Sequence, residues 1–217
     1  MQKYKTDWYL YYLINVTLII LVSFPIYWAF VSSIKPPDEL ITNTPTLFPI
    51  NPTFESYERI WNLEPTSSRG NVRSAFANSA IVSIGTVVVS AVISTLAAYA
   101  LTILRTPFRQ FIFLLIIMPI LIPGISLLIP LYKLVKELGL MNSYLGLILI
   151  HSTGMLTLGV FLMRNAFMSI PTSLREVALL EGSSELRIMF SVMLPLAIPG
   201  LLTLMVFALY GSWNDFI

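Results

Sequence analysis

Residues 74–104 read SAFANSAIVSIGTVVVSAVISTLAAYALTIL, and no Asp, Glu, Lys or Arg interrupts them. About 20 apolar residues cross the hydrocarbon core of a bilayer as an α-helix, and this stretch exceeds that length. Lipid offers no hydrogen-bond partner to a backbone N–H or C=O, so the segment must satisfy its own polar groups, as a helix does. Gly85, Ser90, Ser94, Ala97 and Ala98 place small side chains along it, which lets a neighbouring helix approach closely.

The same pattern recurs on both sides. Charged residues bound four more uncharged stretches, at 8–34, 110–132, 138–163 and 188–214. Five spans are predicted, over about 9–33, 75–104, 110–134, 143–163 and 190–213, within a single transmembrane domain covering 1–217. Pro25, Pro119, Pro123, Pro130, Pro195 and Pro199 fall in or beside them; proline is tolerated in such helices where neighbours satisfy the backbone groups it frees. The expected fold is therefore all-α, a polytopic transmembrane helical bundle. Composition agrees: 56% of residues are hydrophobic and 11% charged, and mean hydropathy is +0.80. Soluble domains carry about 25% charged residues. Lys3 and Lys5 precede the first stretch as in a signal peptide, but its apolar part is too long and no Ala-x-Ala site follows, so it reads as a retained span.

Several function classes fall away. A net charge of +2 without a basic run does not suit nucleic acid. With no cysteine and one histidine, His151, the chain offers no disulfide, no thiol nucleophile and no cluster of His or Cys metal ligands. No ionisable Asp, Glu, Lys or Arg sits inside a stretch, whereas proton- or ion-coupled carriers place such groups within the membrane. No Gly-x-x-x-x-Gly-Lys-Ser/Thr phosphate loop is present, so ATP, if it drives this protein, is bound by another subunit. Basic residues mark the cytoplasmic side. Lys3 and Lys5 flank the first span and the 105–109 loop carries Arg105 and Arg109 without an acid. This places the N-terminus and segment 164–187 in the cytoplasm and loop 35–73 outside, where Pro36, Pro37, Pro45, Pro49, Pro52 and Pro65 predict irregular chain.

Segment 169–182, SIPTSLREVALLEG, is the most informative water-side stretch. Pro171 stops the preceding helix. Ser173 followed by Glu176 forms a capping-box pattern and predicts a helix from Leu174. Gly182 ends it, and Ser183 or Ser184 can cap a further helix into the last span. The predicted product is a helix–turn–helix over 169–189 at the cytoplasmic mouth. Leu174, Val177 and Ala178 share one face, which suits docking into a partner's groove.

Glu176-Val177-Ala178, then three residues to Gly182, then nine to Val192-x-Leu194-Pro195, resembles the EAA loop of ABC importer permeases, whose pattern is Glu-Ala-Ala, three residues, Gly, nine residues, Ile-x-Leu-Pro. Val177 replaces Ala, Glu181 the usual Asp, Ser183 the usual Ala and Val192 the Ile. Further along the chain, Pro25-Ile26-Tyr27-Trp28 through Ser33-Ile34-Lys35, Asn78-Ser79, Ala97-Ala98-Tyr99-Ala100, Ile129-Pro130-Leu131-Tyr132, Leu138-Gly139-Leu140 and Ser212-Trp213-Asn214-Asp215-Phe216 follow the order of carbohydrate importer permeases of the maltose-transporter (MalG-like) kind. The resemblance implies a type I ABC importer permease fold with six spans, so that a final external turn and sixth span would follow Ile217. It implies ATPase subunits that bind ATP and Mg, leaving no cofactor in this chain, which would itself be no enzyme. It also implies a second permease, homologous or identical, an extracytoplasmic solute-binding protein, a sugar as solute, and the cytoplasmic membrane of a bacterium or archaeon. Glu176, Val177, Ala178, Glu181, Gly182, Leu194 and Pro195 then become candidates for ATPase coupling through 172–187.

Plainer readings stand beside these. Glu176 can be a helix cap, and Glu181, Glu185 and Arg187 a solvated face. His151 can hydrogen-bond a neighbouring helix or line a substrate pathway. Trp213, Asn214 and Asp215 suit a sugar, stacking on its apolar face and holding its hydroxyls; Trp213 equally suits an interfacial anchor. Tyr9, Tyr11 and Tyr12 read as an interfacial belt, and the many Met residues as apolar filler. The rival functions are permeation of a non-sugar solute, secondary carriage, and a membrane scaffold.

Overall fold

A computed structural model of the chain describes residues 2–42, 44–62, 72–104 and 106–215; Pro65, Arg105 and Phe216 lie outside these. The chain forms two compact units, Met1–Ser74 and Ala75–Ile217, and the described residues contain helix and no strand.

The first unit is built on α1 (Gln2–Ser33), which passes through Pro25 without ending. From Trp8 to Phe30 most of its side chains are exposed, Leu10, Ile14, Ile20 and Val22 among them, as expected of a helix surrounded by lipid or apolar partners. The segment after it is irregular chain between two short helices, as its prolines imply, and is tied down by side chains. Pro36 is extended and Pro37 occupies the first turn of α2 (Pro37–Leu40), where a missing N–H costs nothing. The Glu39 carboxylate accepts from Ile50 N–H at 2.9 and 3.1 Å, from the Thr46 hydroxyl at 2.8 Å and from Asn51 N–H at 3.5 Å. Lys35, 3% exposed, lies 5.0 Å from the Trp28 ring centroid and donates to the Thr46 carbonyl. The Tyr57 hydroxyl, on α3 (Glu55–Trp61), reaches Ser33 at 2.7 Å. Side chains thus stitch this loop back to the end of α1.

The second unit holds α4 (Val72–Thr102) from Ala75 onward, α5 (Arg109–Ile117), α6 (Leu128–Glu137), α7 (Tyr144–Met168), α8 (Thr172–Leu180), α9 (Glu185–Ile188), α10 (Leu194–Leu196) and α11 (Ile198–Trp213). Two predicted spans are not straight. Arms Arg109–Leu121 and Gly124–Glu137 meet at 96°, and arms Glu185–Leu196 and Ile198–Trp213 at 78°. Proline lies at both bends and lacks the helix N–H; at the first it also drives the preceding residue out of the helical region. Ile122 before Pro123 is extended, at φ −90° and ψ 121°. Pro195 and Pro199 flank the second bend, and Met189–Met193 ahead of it widen into a π-helical turn, a common site of bending. Among the described residues, three helices, over Trp8–Ser33, Val72–Thr102 and Tyr144–Met168, are long and apolar enough to cross a membrane; the number is five if each bent pair is one span.

Packing of α4, α7 and α11 centres on fully buried Val160, Met163, Phe167, Met193 and Leu204. The small residues anticipated on α4 do bring helices together. A Cβ added at Gly159 of α7 would lie 2.3 Å from Ser94 Oγ. Tyr144 at the start of α7 donates to Asn78 near the start of α4 at 2.8 Å, while Phe167 near its end meets Tyr99 near the end of α4 at 5.5 Å. The two helices therefore run parallel, and the bent α5–α6 chain makes the return between them.

Candidate functional site

The elbow over 169–189 is built by α8, a glycine turn and α9. Pro171, at φ −58° and ψ 129°, caps α8 without a side-chain bond, so the helix begins at Thr172. The anticipated capping box is not formed: Ser173 already lies inside the helix, and this removes the reading of Glu176 as a cap. Pro171 wins because its ring presets the extended entry. Gly182 sits at φ 80°. Its N–H donates to the Leu179 carbonyl at 3.0 Å and Ser183 N–H donates to the Ala178 carbonyl at 3.0 Å, the paired bonds of a Schellman turn. Ser184, rather than Ser183, caps α9 by accepting from Arg187 N–H at 3.4 Å.

The elbow's faces differ from the predicted stripe. Ala178 turns inward, 8% exposed, into the core, whereas Leu174, Val177 and Leu180 face outward, Leu180 at 89%. Glu176, Glu181 and Gly182 are exposed, Pro195 further along is exposed too, and Leu194 is half-buried. The result is an outward rim of apolar side chains bordered by two carboxylates on a short helix, a form suited to a complementary groove.

Glu185 is partly exposed, but it is a paired charge rather than a free one. Arg175 of α8 pairs with its carboxylate through Nη2 and lies 3.4 Å from Oε2 through Nε. The Tyr99 hydroxyl of α4 donates to Oε2 at 2.9 Å. The hydrogen bond to Glu185 raises the Arg175 pKa further, which keeps this cation charged. Nothing in the local pattern around Glu185 marked this role; Tyr99 was visible only as part of the Ala97-Ala98-Tyr99-Ala100 motif.

The other site candidates gather at the opposite end of α4 and α7. His151 Nδ1 of α7 stands 3.6 Å from Asp215 Oδ2, beyond the end of α11. That separation is long for a hydrogen bond and forms an ion pair when the imidazole is protonated. Trp213 meets Phe76 of α4 edge to face at 5.1 Å and 80°. Asn214 is drawn away, its side-chain amide donating to the Tyr210 carbonyl at 2.9 Å as a helix end cap. His151, Asp215 and Trp213 thus share a region with Phe76, which the sequence did not single out. From His151 to the end of α7 at Met168 the helix rises about 26 Å, so this cluster and the elbow are separated by most of a membrane thickness.

A bundle of long apolar helices, two of them bent at proline, marks a multi-pass membrane protein. Residues 90–217 match the family described as binding-protein-dependent transport system inner membrane component, and this chain belongs to that family, the permease subunits of ABC transporters. Such a permease is not itself the ATPase. A probable ABC transporter permease of Pyrococcus horikoshii is 30% identical over 88% of this chain and 68% of its own length. The diacetylchitobiose uptake permease NgcG of Streptomyces coelicolor is 29% identical over 91% and 63%. The sulfoquinovosyl glycerol transport permease SmoH of Agrobacterium fabrum is 32% identical over 89% and 66%. The chain therefore spans about two thirds of the length of these relatives. It also shares its fold with a bacterial ABC transporter involved in import of the acidic polysaccharide alginate, with a TM-score of 0.83 and 23% identity, over 100% of this chain and 74% of that one.

Proposed function

We propose that this chain is the membrane-spanning permease of an ATP-driven importer for a carbohydrate. The observation that carries the reading is the Gly182 elbow, where the EAA-like residues Glu176, Val177, Glu181 and Gly182 stand on an exposed rim at the far end of the bundle from Trp213 and His151. In this reading 172–187 docks on a cytoplasmic ATPase, buried Ala178 seats the elbow on the bundle, and Leu194 and Pro195 belong to the same coupling segment. ATP and Mg bind to that ATPase, and this chain carries no cofactor. ATP-driven closure displaces the elbow. The displacement biases the bundle only because the elbow contacts the ATPase differently in the two states. A second permease, homologous or identical, completes the pathway. A solute-binding protein delivers the sugar to the outer face, where the Trp213–Phe76 and His151–Asp215 cluster offers an aromatic surface and polar groups. The topology has the N-terminus in the cytoplasm of a bacterial or archaeal cell, loop 35–73 outside and 169–189 inside.

The names of relatives support the sugar. Besides diacetylchitobiose and sulfoquinovosyl glycerol, a probable starch degradation products transport permease of Thermoanaerobacterium thermosulfurigenes is 32% identical over 100% of this chain. A second reading, uptake of a compatible solute, is favoured by an osmoprotective compounds uptake permease of Synechocystis, 31% identical over 92%. The test is uptake by the complete importer in proteoliposomes against a panel of oligosaccharides and non-sugar solutes, with and without ATP. ATP-dependent uptake of one saccharide is expected. Uptake that persists with the ATPase subunits omitted would refute the reading in favour of a self-driven carrier.

A further inference from the structure

The elbow bends at a glycine, whose backbone is free to adopt many conformations. Something must hold its two arms together if movement imposed on α8 is to reach the spans. Glu185 is placed to do so. It opens α9 just after the cap Ser184, and Arg175 reaches it from α8 across the Gly182 turn. Its second carboxylate oxygen takes the hydroxyl of Tyr99, a residue 86 positions earlier on α4. Tyr99 is 4% exposed, and its ring packs edge to face on Phe167 in the last turn of α7 at 5.5 Å and 78°. One carboxylate therefore joins both arms of the elbow to α4, and the ring of Tyr99 extends the link to α7. Towards their other ends these same two helices carry Phe76 against Trp213 and, two turns into α7, His151 beside Asp215.

We infer that Glu185, clamped by Arg175 and Tyr99, is a positioning residue that makes the elbow move as one body with α4, so that force received at the rim reaches the far end of the bundle. This rests on the reading of the elbow as the ATPase dock. Simple stabilisation is a poor account of the arrangement. Arg175 and Glu185 side chains are 26% and 36% exposed, and ion pairs open to solvent contribute little to stability. The buried Tyr99 hydroxyl adds direction rather than mere attraction, because it ties the carboxylate to a particular helix.

The experiment uses the complete importer in proteoliposomes and measures three quantities: ATPase subunits retained on purification, ATP hydrolysed, and solute imported per ATP. Tyr99→Phe removes only the hydroxyl. It should retain the ATPase and its hydrolysis while solute imported per ATP falls about tenfold, the factor that goes with losing a hydrogen bond to an ionised group. Glu185→Gln should act alike. The paired exchange Arg175→Glu with Glu185→Arg restores the bridge between the arms and leaves Tyr99 an oxygen that can accept from the new cation, so it should recover most of the ratio that Arg175→Glu alone loses. An unchanged ratio in Tyr99→Phe overturns the inference. So does a fall in ATPase retention equal to the fall in transport, since that marks a merely structural role. Leu180→Asp keeps the two claims apart: it should lose ATPase retention, and if it does not, the docking reading fails whatever Tyr99→Phe shows.

Discussion

Replacement of Gly182 tests the elbow most directly, because the structure isolates one physical cause. At φ 80° an L-residue brings its Cβ against its own backbone, at a cost of about 1–2 kcal/mol. Packing adds nothing, since no atom lies within 4 Å of a Cβ built there. Gly182→Ala should therefore weaken the turn by about 1–2 kcal/mol, a factor of about 5–30 in the population of the closed elbow. Gly182→Asn should cost less, because asparagine visits the left-handed region more readily. Gly182→Pro should cost most: its φ is held near −65°, and it also deletes the N–H that bonds to the Leu179 carbonyl at 3.0 Å. The expected order of damage is Asn, Ala, Pro. Hydrogen exchange at the Ser183 amide, which donates to Ala178 at 3.0 Å, reads the turn itself; solute imported per ATP reads its consequence. Gly182→Pro should uncouple hydrolysis from transport and leave membrane insertion intact. An alanine variant as protected and as coupled as the parent would refute the reasoning, and so would damage that follows side-chain size rather than backbone preference.

Three further outcomes are expected. Gly159→Ala should destabilise the α4–α7 contact by about 1–3 kcal/mol through overpacking, since its Cβ would sit 2.3 Å from Ser94 Oγ and 3.0 Å from Leu204 Cδ1. Thermal unfolding in detergent should show a lower midpoint, and adding Ser94→Gly should restore most of it. Glu176→Ala should leave the α8 helix within about 0.5 kcal/mol of the parent, as for an ordinary surface change, while weakening ATPase binding in a pull-down; unchanged binding would remove Glu176 from the dock. The loop after α1 should loosen in acid. Burial pulls the Glu39 carboxyl up, but bonds from Ile50, Thr46 and Asn51 and the charge of Lys35 together hold it below the usual carboxylate range. A group lowered on folding stabilises the folded loop above its unfolded pKa and loses that contribution as pH falls through the folded value. Exchange at the Ile50 amide, beyond its intrinsic pH dependence, should therefore rise in that acid window, and Glu39→Gln should abolish the rise.

The two site candidates differ in how far local pattern could reach. Gly182 was readable because its demand is local: a helix ends there, and glycine alone accepts the required φ without cost. The capping box at Ser173 and Glu176 was equally local in form, yet Pro171 two residues earlier had already set the helix start. Glu185 and Tyr99 could not be paired from pattern, because 86 residues separate them and both fit ordinary roles where they stand. Asn214 and Asp215 are adjacent and chemically similar, but one folds back on Tyr210 and the other faces His151, a division that depends on where α11 ends.

By itself the sequence determined an all-helical membrane chain, since apolar length and the need to satisfy every backbone group in lipid act on each segment separately. It also carried the elbow's spacing and its glycine turn, for the same local reason. Tertiary structure decided which prolines bend. Pro25 remains inside one continuous helix, whereas the chain turns by 96° at Pro123 and by 78° between Pro195 and Pro199. A proline removes the same hydrogen bond wherever it lies, and whether the helix continues or folds over depends on which neighbours are there to pack against the result.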